Sequence, residues 1–311
     1  MDIVKYNVTH REQWNEFVKD ALKSTFLFHR DFMEYHSDRF LDHSLLFFKN
    51  DAIVAVLPGN QTEGLFISHQ GLTYGGFVYG KMSSKDMLQI MELLLSYLKI
   101  NGFKKIIYKA LPNIFQSSFH EVDLYALHIK KFKLDRRDLS FVIDLKSEIK
   151  YAKDRKYRIN KSKRNGLTIQ KSEDFKAFMQ IVNDNLQSKY NKQAIHTADE
   201  IKRLYAKFPD NIKLLVVHDS NDALVGGSLL FLDNNFIHTQ YLHSNLSGKK
   251  LDAKEFLVDH LIQSNKSYNY LSFGISTENE GKYLNEGLAS YKEGFGARCI
   301  VHDFYELKLD D

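Results

Sequence analysis

The chain has 311 residues, 43% hydrophobic and 26% charged, with 3 prolines and one cysteine. That composition belongs to a globular protein of one or two domains with a full core; it excludes a disordered chain, an intramolecular disulfide and a cysteine-built metal centre. The formal charge of +4 is uneven: positions 130–164 hold 14 Lys or Arg against 5 Asp or Glu, which leaves the other 276 residues at −5.

The opening MDIVKYNVTHREQ has no apolar core of a secretory signal, and the greasiest run, 87–98, is interrupted by Glu92. No transmembrane segment is expected, and the expected location is cytoplasmic. Thr9 with Glu12 reads as a capping box ahead of the apolar stripe Trp14, Phe17, Val18, Ala21, Leu22. HRDFMEYHSDRF (29–40) is crowded with donors and acceptors. At helical spacing Phe32, Tyr35, His36 and Arg39 share a face, so His29, Tyr35, His36 and Arg39 are candidate substrate-binding residues, with a solvated surface helix as the alternative. His29, His36 and His43 recur at spacings of seven without a carboxylate to orient them, so no metal site is expected.

Strands are expected at 45–48, 53–57 and 65–68, an antiparallel meander. SHQGLTYGG (68–76) follows, with three glycines and no charge. Ser83 with Asp86 starts a helix carrying Met87, Ile90, Met91, Leu94 and Leu98, stopped by Asn101-Gly102. A strand at 104–108 and a closing strand at 140–146 end this half. A basic helix is expected over 147–165, with Ser147 as N-cap and Asn165-Gly166 as stop. It has little apolar surface, and Tyr151, Arg155, Arg158 and Ser162 share one face, where Arg155 and Arg158 could grip a phosphate. A charge run there can equally be a solvated face.

Phe175, Phe178, Met179, Val182 and Leu186 mark another amphipathic helix, and Thr197 with Glu200 caps the next. A second meander follows at 214–218, 224–232 and 236–243, then SNLSGKKLDA (244–253), a helix near Lys254 and a strand at 270–274. Corresponding elements of the two halves are offset by 169, 169, 166 and 162 residues in the same order, the mark of an internal duplication. The expected domains are 1–145 and 146–311, the second opened by the basic helix. Cys299, in the strand-like RCIVHDF, is expected to be buried.

A β-meander, loop, helix and strand in this order resembles the GNAT acyltransferase unit. Two in tandem, with HRDFMEYHSDRF, SHQGLTYGG, RKYRINKSKRNGL (155–167) and YKEGFGA (291–297), resemble the Fem family of peptidoglycan aminoacyl transferases and their GNAT-annotated relatives. The resemblance covers nearly the whole chain. It implies an α/β (α+β) fold of two GNAT-like units, each a mixed, mostly antiparallel sheet flanked by helices.

In a GNAT unit the loop after the fourth strand holds the pyrophosphate of acyl-CoA, since backbone N–H groups and a helix start favour phosphate. The second unit is then the donor side, with Ser247, Gly248, Lys249 and Lys250 as cofactor-binding candidates, although SGKKLDA lacks the usual glycine spacing. The first unit is the acceptor side: Gly71, Gly75 and Gly76 let backbone approach a ligand, and His69 and Tyr74 supply hydrogen bonds or proton transfer. Tyr241 and His243 are candidates for proton handling at the acyl carbonyl. Ser276 and Thr277 lie just past a strand end, where ligands collect. Lys292 of YKEGFGA matches the Fem lysine that faces the donor.

With no G-x-S-x-G or phosphate-loop pattern, the expected chemistry is direct attack by an amine. The first expectation is an N-acyltransferase from acyl-CoA to an amino group of a cell-envelope precursor, such as an aminosugar or peptide, lipid- or nucleotide-linked, with possible peripheral membrane contact. The alternatives are an aminoacyl-tRNA-dependent Fem-type transferase and a non-catalytic protein that binds an anionic ligand.

Overall fold

A computed structural model describes residues 1–309. The chain forms two compact units: 1–139 with 279–283 and the end of the chain from Val301, and 140–278 with 284–300.

In the first unit, Asn7 rather than Thr9 opens the N-terminal helical segment. Its side chain accepts from the Thr9 amide and the His10 imidazole accepts from the Asn7 amide, closing a 3-10 turn Val8–His10 before the helix Arg11–Asp20. Four antiparallel strands form one sheet in the order Asp2–Lys5, Leu45–Lys49, Ala52–Leu57, Val78–Tyr79. The third strand of the expected meander does not join it. Leu65–Ile67 pairs antiparallel with Asn60–Thr62 and parallel with Lys105–Lys109 in a separate set of strands. Pro58-Gly59 ends the strand Ala52–Leu57 and starts this second layer. The helix Ser84–Ile100, capped by Ser83 as its sequence implies, lays Met87, Ile90, Met91, Leu94 and Leu98 into the core with Phe47, Phe66 and Phe77.

That core holds a charge. Asp123, fully buried on the helix Val122–Ile129, accepts from Lys23 at 2.6 Å, from Tyr79 at 2.7 Å and from Tyr108. Nothing in the spacing of these four residues announced the network.

The second unit keeps its meander. Thr168–Ser172, Ile212–His218, Leu224–Leu232 and Phe236–Ser244 run antiparallel in that order, and Tyr270–Ile275 adds parallel to the last. The helix Ala198–Lys207 carries the expected capping box of Thr197 and Glu200.

The closing strands are exchanged relative to the duplicated order. Residues 140–144, the end of Lys133–Asp144, pair antiparallel with Tyr270–Ile275. Residues 304–308 of Arg298–Lys308 pair with Lys105–Lys109, in the set of strands that holds Leu65–Ile67. Cys299, the second residue of Arg298–Lys308, is exposed, not buried.

The basic helix spans Lys153–Arg164, with Ala152 at its N-cap. Ser147 does not cap it; its hydroxyl donates to Asp144 at 2.6 Å. No helix among the described residues is long and apolar enough to cross a membrane.

Candidate active site

The loop 68–76 of the first unit is closely packed, so its glycines serve contact more than freedom. A Cβ on Gly75 would sit 1.8 Å from the Ser68 carbonyl oxygen, and one on Gly71 would sit 2.4 Å from His36 Nε2. Gly76 adopts φ +85° against the Tyr108 hydroxyl and the Lys109 carbonyl. Tyr74 is buried and stacks on Phe115 with centroids 4.4 Å apart, so its ring is part of the packing of this loop.

His69 follows the strand Leu65–Ile67 in the left-handed region, φ +61°, an uncommon conformation for a non-glycine residue. Its ring stacks on His36, which in turn stacks on Tyr35 at 4.3 Å, with Arg39 over the tyrosine ring. The HRDFMEYHSDRF segment is not one helix. It is a short helix Arg30–Met33 capped by His29, then a 3-10 turn Glu34–His36, and this break turns His36 inward against the backbone of Met33 and Gly71. Burial lowers the pKa of both imidazoles, and for His69 the neighbouring His36, Lys109 and Arg30 lower it further. Lys109, which the sequence reading missed, lies beneath the loop and donates to the carbonyls of His69, at 3.2 Å, and Leu72. Burial, with help from Arg136, lowers its pKa to about 7. Of the sequence candidates in this unit, His36, His69 and Gly71 are brought together, with Tyr35 and Arg39 stacked behind them.

In the second unit the parallel pair Phe236–Ser244 and Tyr270–Ile275 is in register only at Phe236↔Tyr270, Ile237↔Leu271 and His238↔Ser272. Past that point both strands continue unpaired with each other. On the other side, a bulge at Gln240 shifts the register between Leu229↔Tyr241 and Leu230↔Thr239. Gln240, Tyr241, Leu242 and His243 are the half-buried stretch of an otherwise buried strand. The parting of the strands therefore opens backbone and side chains together, at the carboxyl end of the sheet where α/β folds collect ligands.

His243 lies in this stretch, and burial, then the charges of Lys254 and Lys249, bring its pKa down to about 4. It is a neutral imidazole near pH 7. Burial raises the Tyr241 phenol, which stays protonated; its hydroxyl lies 2.9 Å from His196 Nδ1. His196, just ahead of the Thr197 capping box, carried no sequence signal. Lys292, buried on the helix Glu286–Glu293, donates to the carbonyls of Gly274 at 2.8 Å and Ile275 at 2.7 Å. It thus holds the end of the diverging strand, and burial lowers its pKa to about 7. Ser276 and Thr277 continue from that strand end, Ser276 buried and Thr277 half-buried.

The expected phosphate loop has a different construction. The Gly248 amide donates to Asn245 Oδ1 at 2.9 Å, and a Cβ there would meet the Val225 carbonyl oxygen at 2.1 Å. Gly248 is a packing glycine with its amide engaged. Ser247 and Lys249 line a cleft, while the Lys250 carbonyl accepts from Lys161.

The basic helix corrects a second expectation. Arg155 is buried, pairs with Glu255 at 2.6 Å and packs over the rings of Tyr291 and Phe295, so it is not presented to a phosphate. Arg158 and Lys161 both pair with Asp252, and Lys163 with Asp259. The packing that the sequence seemed to lack is ionic: the acids of the helix Ala253–Ser264 and its N-terminal residue Asp252 meet the cations of Lys153–Arg164. Among the described residues no group of three His, Cys, Asp or Glu side chains is placed to hold a metal ion.

No family model and no curated protein matches the sequence. Solved structures do match the fold. FemX superposes over 99% of this chain and 97% of its own, with TM-score 0.69 at 9% identity. The chain therefore has a tandem GNAT-like fold similar to that of FemX. The FemX-like arrangement recurs in a domain from Agrobacterium fabrum described provisionally as the C-terminal domain of a lysylphosphatidylglycerol synthetase. That match covers 97% of this chain and 92% of the other, at 12% identity and TM-score 0.63. A tandem GNAT protein from the clavulanic acid biosynthesis pathway matches over 100% and 99%, at 8% identity and TM-score 0.50. At these identities the FemX likeness speaks to fold.

Proposed function

We propose that this FemX-like chain is an acyltransferase that moves an acyl group from acyl-CoA to the amino group of a cell-envelope precursor, with its chemistry in the second unit. The observation that carries the reading is the parting of Phe236–Ser244 from Tyr270–Ile275 beyond the pair His238↔Ser272. An acyl group entering there meets unpaired strand backbone, whose N–H groups suit an oxyanion. The amine nitrogen attacks the thioester carbonyl carbon, a C–N bond forms and the C–S bond breaks. His243, unprotonated near pH 7, takes the proton lost by the amine, and the protonated Tyr241 phenol supplies one to the departing thiolate. Lys292 positions the facing strand through the two carbonyls it binds, and Ser276 and Thr277 lie at the acyl end. The envelope acceptor follows from the Fem resemblance, and the FemX-like fold supports it.

The test is release of free thiol from acetyl-CoA on addition of amine acceptors, read with a thiol reagent and by mass of the product. His243→Asn is expected to lower kcat by about 10²–10⁴, the usual worth of a general base. Wild-type-like turnover in that variant, or absence of any acetyl-CoA binding by calorimetry, defeats the proposal as written.

A second reading takes the acyl group from aminoacyl-tRNA. The engaged Gly248 amide favours it, because a CoA diphosphate needs open amides at that loop. Activity would then disappear after ribonuclease treatment and fall steeply with salt; activity that survives both rejects it.

A further inference from the structure

A cleft of about 460 Å³ opens in the second unit between the helix Phe175–Tyr190 and the loop that follows the strand Phe236–Ser244. Ile181, Asp184 and Ser188 come from one helix face, and Leu246, Ser247 and Lys249 from the loop. Both walls are fixed. Asn185 donates to the carbonyls of Ile181, at 2.8 Å, and Ser244, at 3.0 Å, which ties the helix to the strand end. Asn245 caps the turn Leu246–Lys250 through the Gly248 amide and donates to the Leu224 carbonyl.

The cleft carries one charge of each sign. Asp184 accepts from Gln180 at 2.8 Å, and among the described residues no cation pairs with it and no carboxylate pairs with Lys249. The same lining includes a buried Ile181 and an exposed Leu246. The volume is that of a small-molecule site, and its few polar groups are of the kind that fix orientation. A diphosphate does not suit it: Asp184 repels a polyanion and a single free lysine cannot neutralise one.

We infer that this cleft holds an amine that also bears an anionic group, the two charges separated by an apolar spacer. The ammonium sits against Asp184, the carboxylate or phosphate against Lys249, and the spacer over Ile181 and Leu246. This rests on the acyl-transfer reading only in casting that amine as the acceptor. The cleft adjoins Ser244, the end of the strand that carries Tyr241 and His243.

The test is titration of the full chain with 6-aminohexanoate, followed by NMR or calorimetry, beside hexanoate and hexylamine, which each keep one charge. The zwitterion is expected to bind about fivefold tighter than either, the worth of one exposed ion pair. Asp184→Asn should erase its advantage over hexanoate, and Lys249→Gln its advantage over hexylamine. Both positions are exposed, so folding is retained, which the thermal midpoint checks. A 5-aminopentyl phosphate arm sorts carboxylate from phosphate, and tighter binding of either zwitterion supports the inference. Equal affinities for all compounds, no saturable binding, or unchanged selectivity in both variants overturns it. Binding is read without turnover, so an inactive chain that still selects the zwitterion refutes the transferase reading alone.

Discussion

The imidazole of His36 lies parallel to that of His69, with ring centroids 5.1 Å apart and planes 12° apart. Two buried rings at that distance cannot both carry charge, and burial keeps each neutral.

The same physics makes stability depend on acid. In the unfolded chain a histidine titrates near its ordinary value of about 6.5, whereas His302, buried in the first unit, is brought down by burial to about 4. The folded state therefore resists a proton that the unfolded state accepts. Stability is complete above about pH 6.5 and falls as pH drops towards 4. His302→Gln should flatten that decline, measured as the urea midpoint at pH 7 and at pH 4.5. An identical decline in wild type and variant would remove His302 from the account.

The buried lysines act on the alkaline side. Lys109 and Lys292 titrate near 7 when folded, against about 10.4 unfolded. Between those values the unfolded chain holds the extra proton, so stability is expected to rise with pH. Lys109→Met should reduce the slope of unfolding free energy between pH 7 and pH 10. A slope equal to that of wild type would show that Lys109 keeps its proton throughout.

Contact, rather than conformational freedom, decides Gly71 and Gly75 of SHQGLTYGG. Gly75→Ala drives a Cβ into the Ser68 carbonyl and is expected to cost more than about 3 kcal/mol, among the large values for a single substitution. Gly102→Ala, at φ +77° with nothing within 4 Å, keeps only the backbone strain and should cost about 1–3 kcal/mol. Chemical denaturation of the two variants orders them; a Gly75→Ala protein as stable as Gly102→Ala would mean that the loop yields freely.

Charge pairs of the first unit should separate by burial. Lys23→Met leaves Asp123 fully buried without its cation and is expected to cost about 3–5 kcal/mol. Lys130→Met breaks an ion pair with Glu92 at 2.6 Å on the surface and should cost under about 1 kcal/mol. Equal midpoints for the two variants would contradict this account of the core.

Much of the second unit was legible along the chain. The apolar spacing of Phe178, Met179 and Val182, the Thr197–Glu200 box and the three-strand meander all stand in the structure, because each is fixed by neighbours a few residues away. In the first unit the same reasoning held for Ser83 and the helix after it, but placed Leu65–Ile67 in the wrong sheet. Strand propensity says that a segment is extended, not which edge it joins.

The candidate sites divide in the same way. His243 and Lys292 could be named from the sequence because the Fem resemblance and the meander point to them. Lys109 and His196 could not, since a lysine closing a strand and a histidine before a cap look ordinary until partners far along the chain surround them. Arg155 shows the converse: a run of cations suggests an anionic ligand, and the carboxylate that meets it lies 100 residues further along the chain. The sequence by itself determined the periodic elements, their duplicated order and the uneven charge, all of which are local or additive properties. Which strands close which sheet, which charges neutralise one another and which imidazoles stay uncharged were decided only in the tertiary structure, because hydrogen-bond pairing and desolvation depend on what packs alongside.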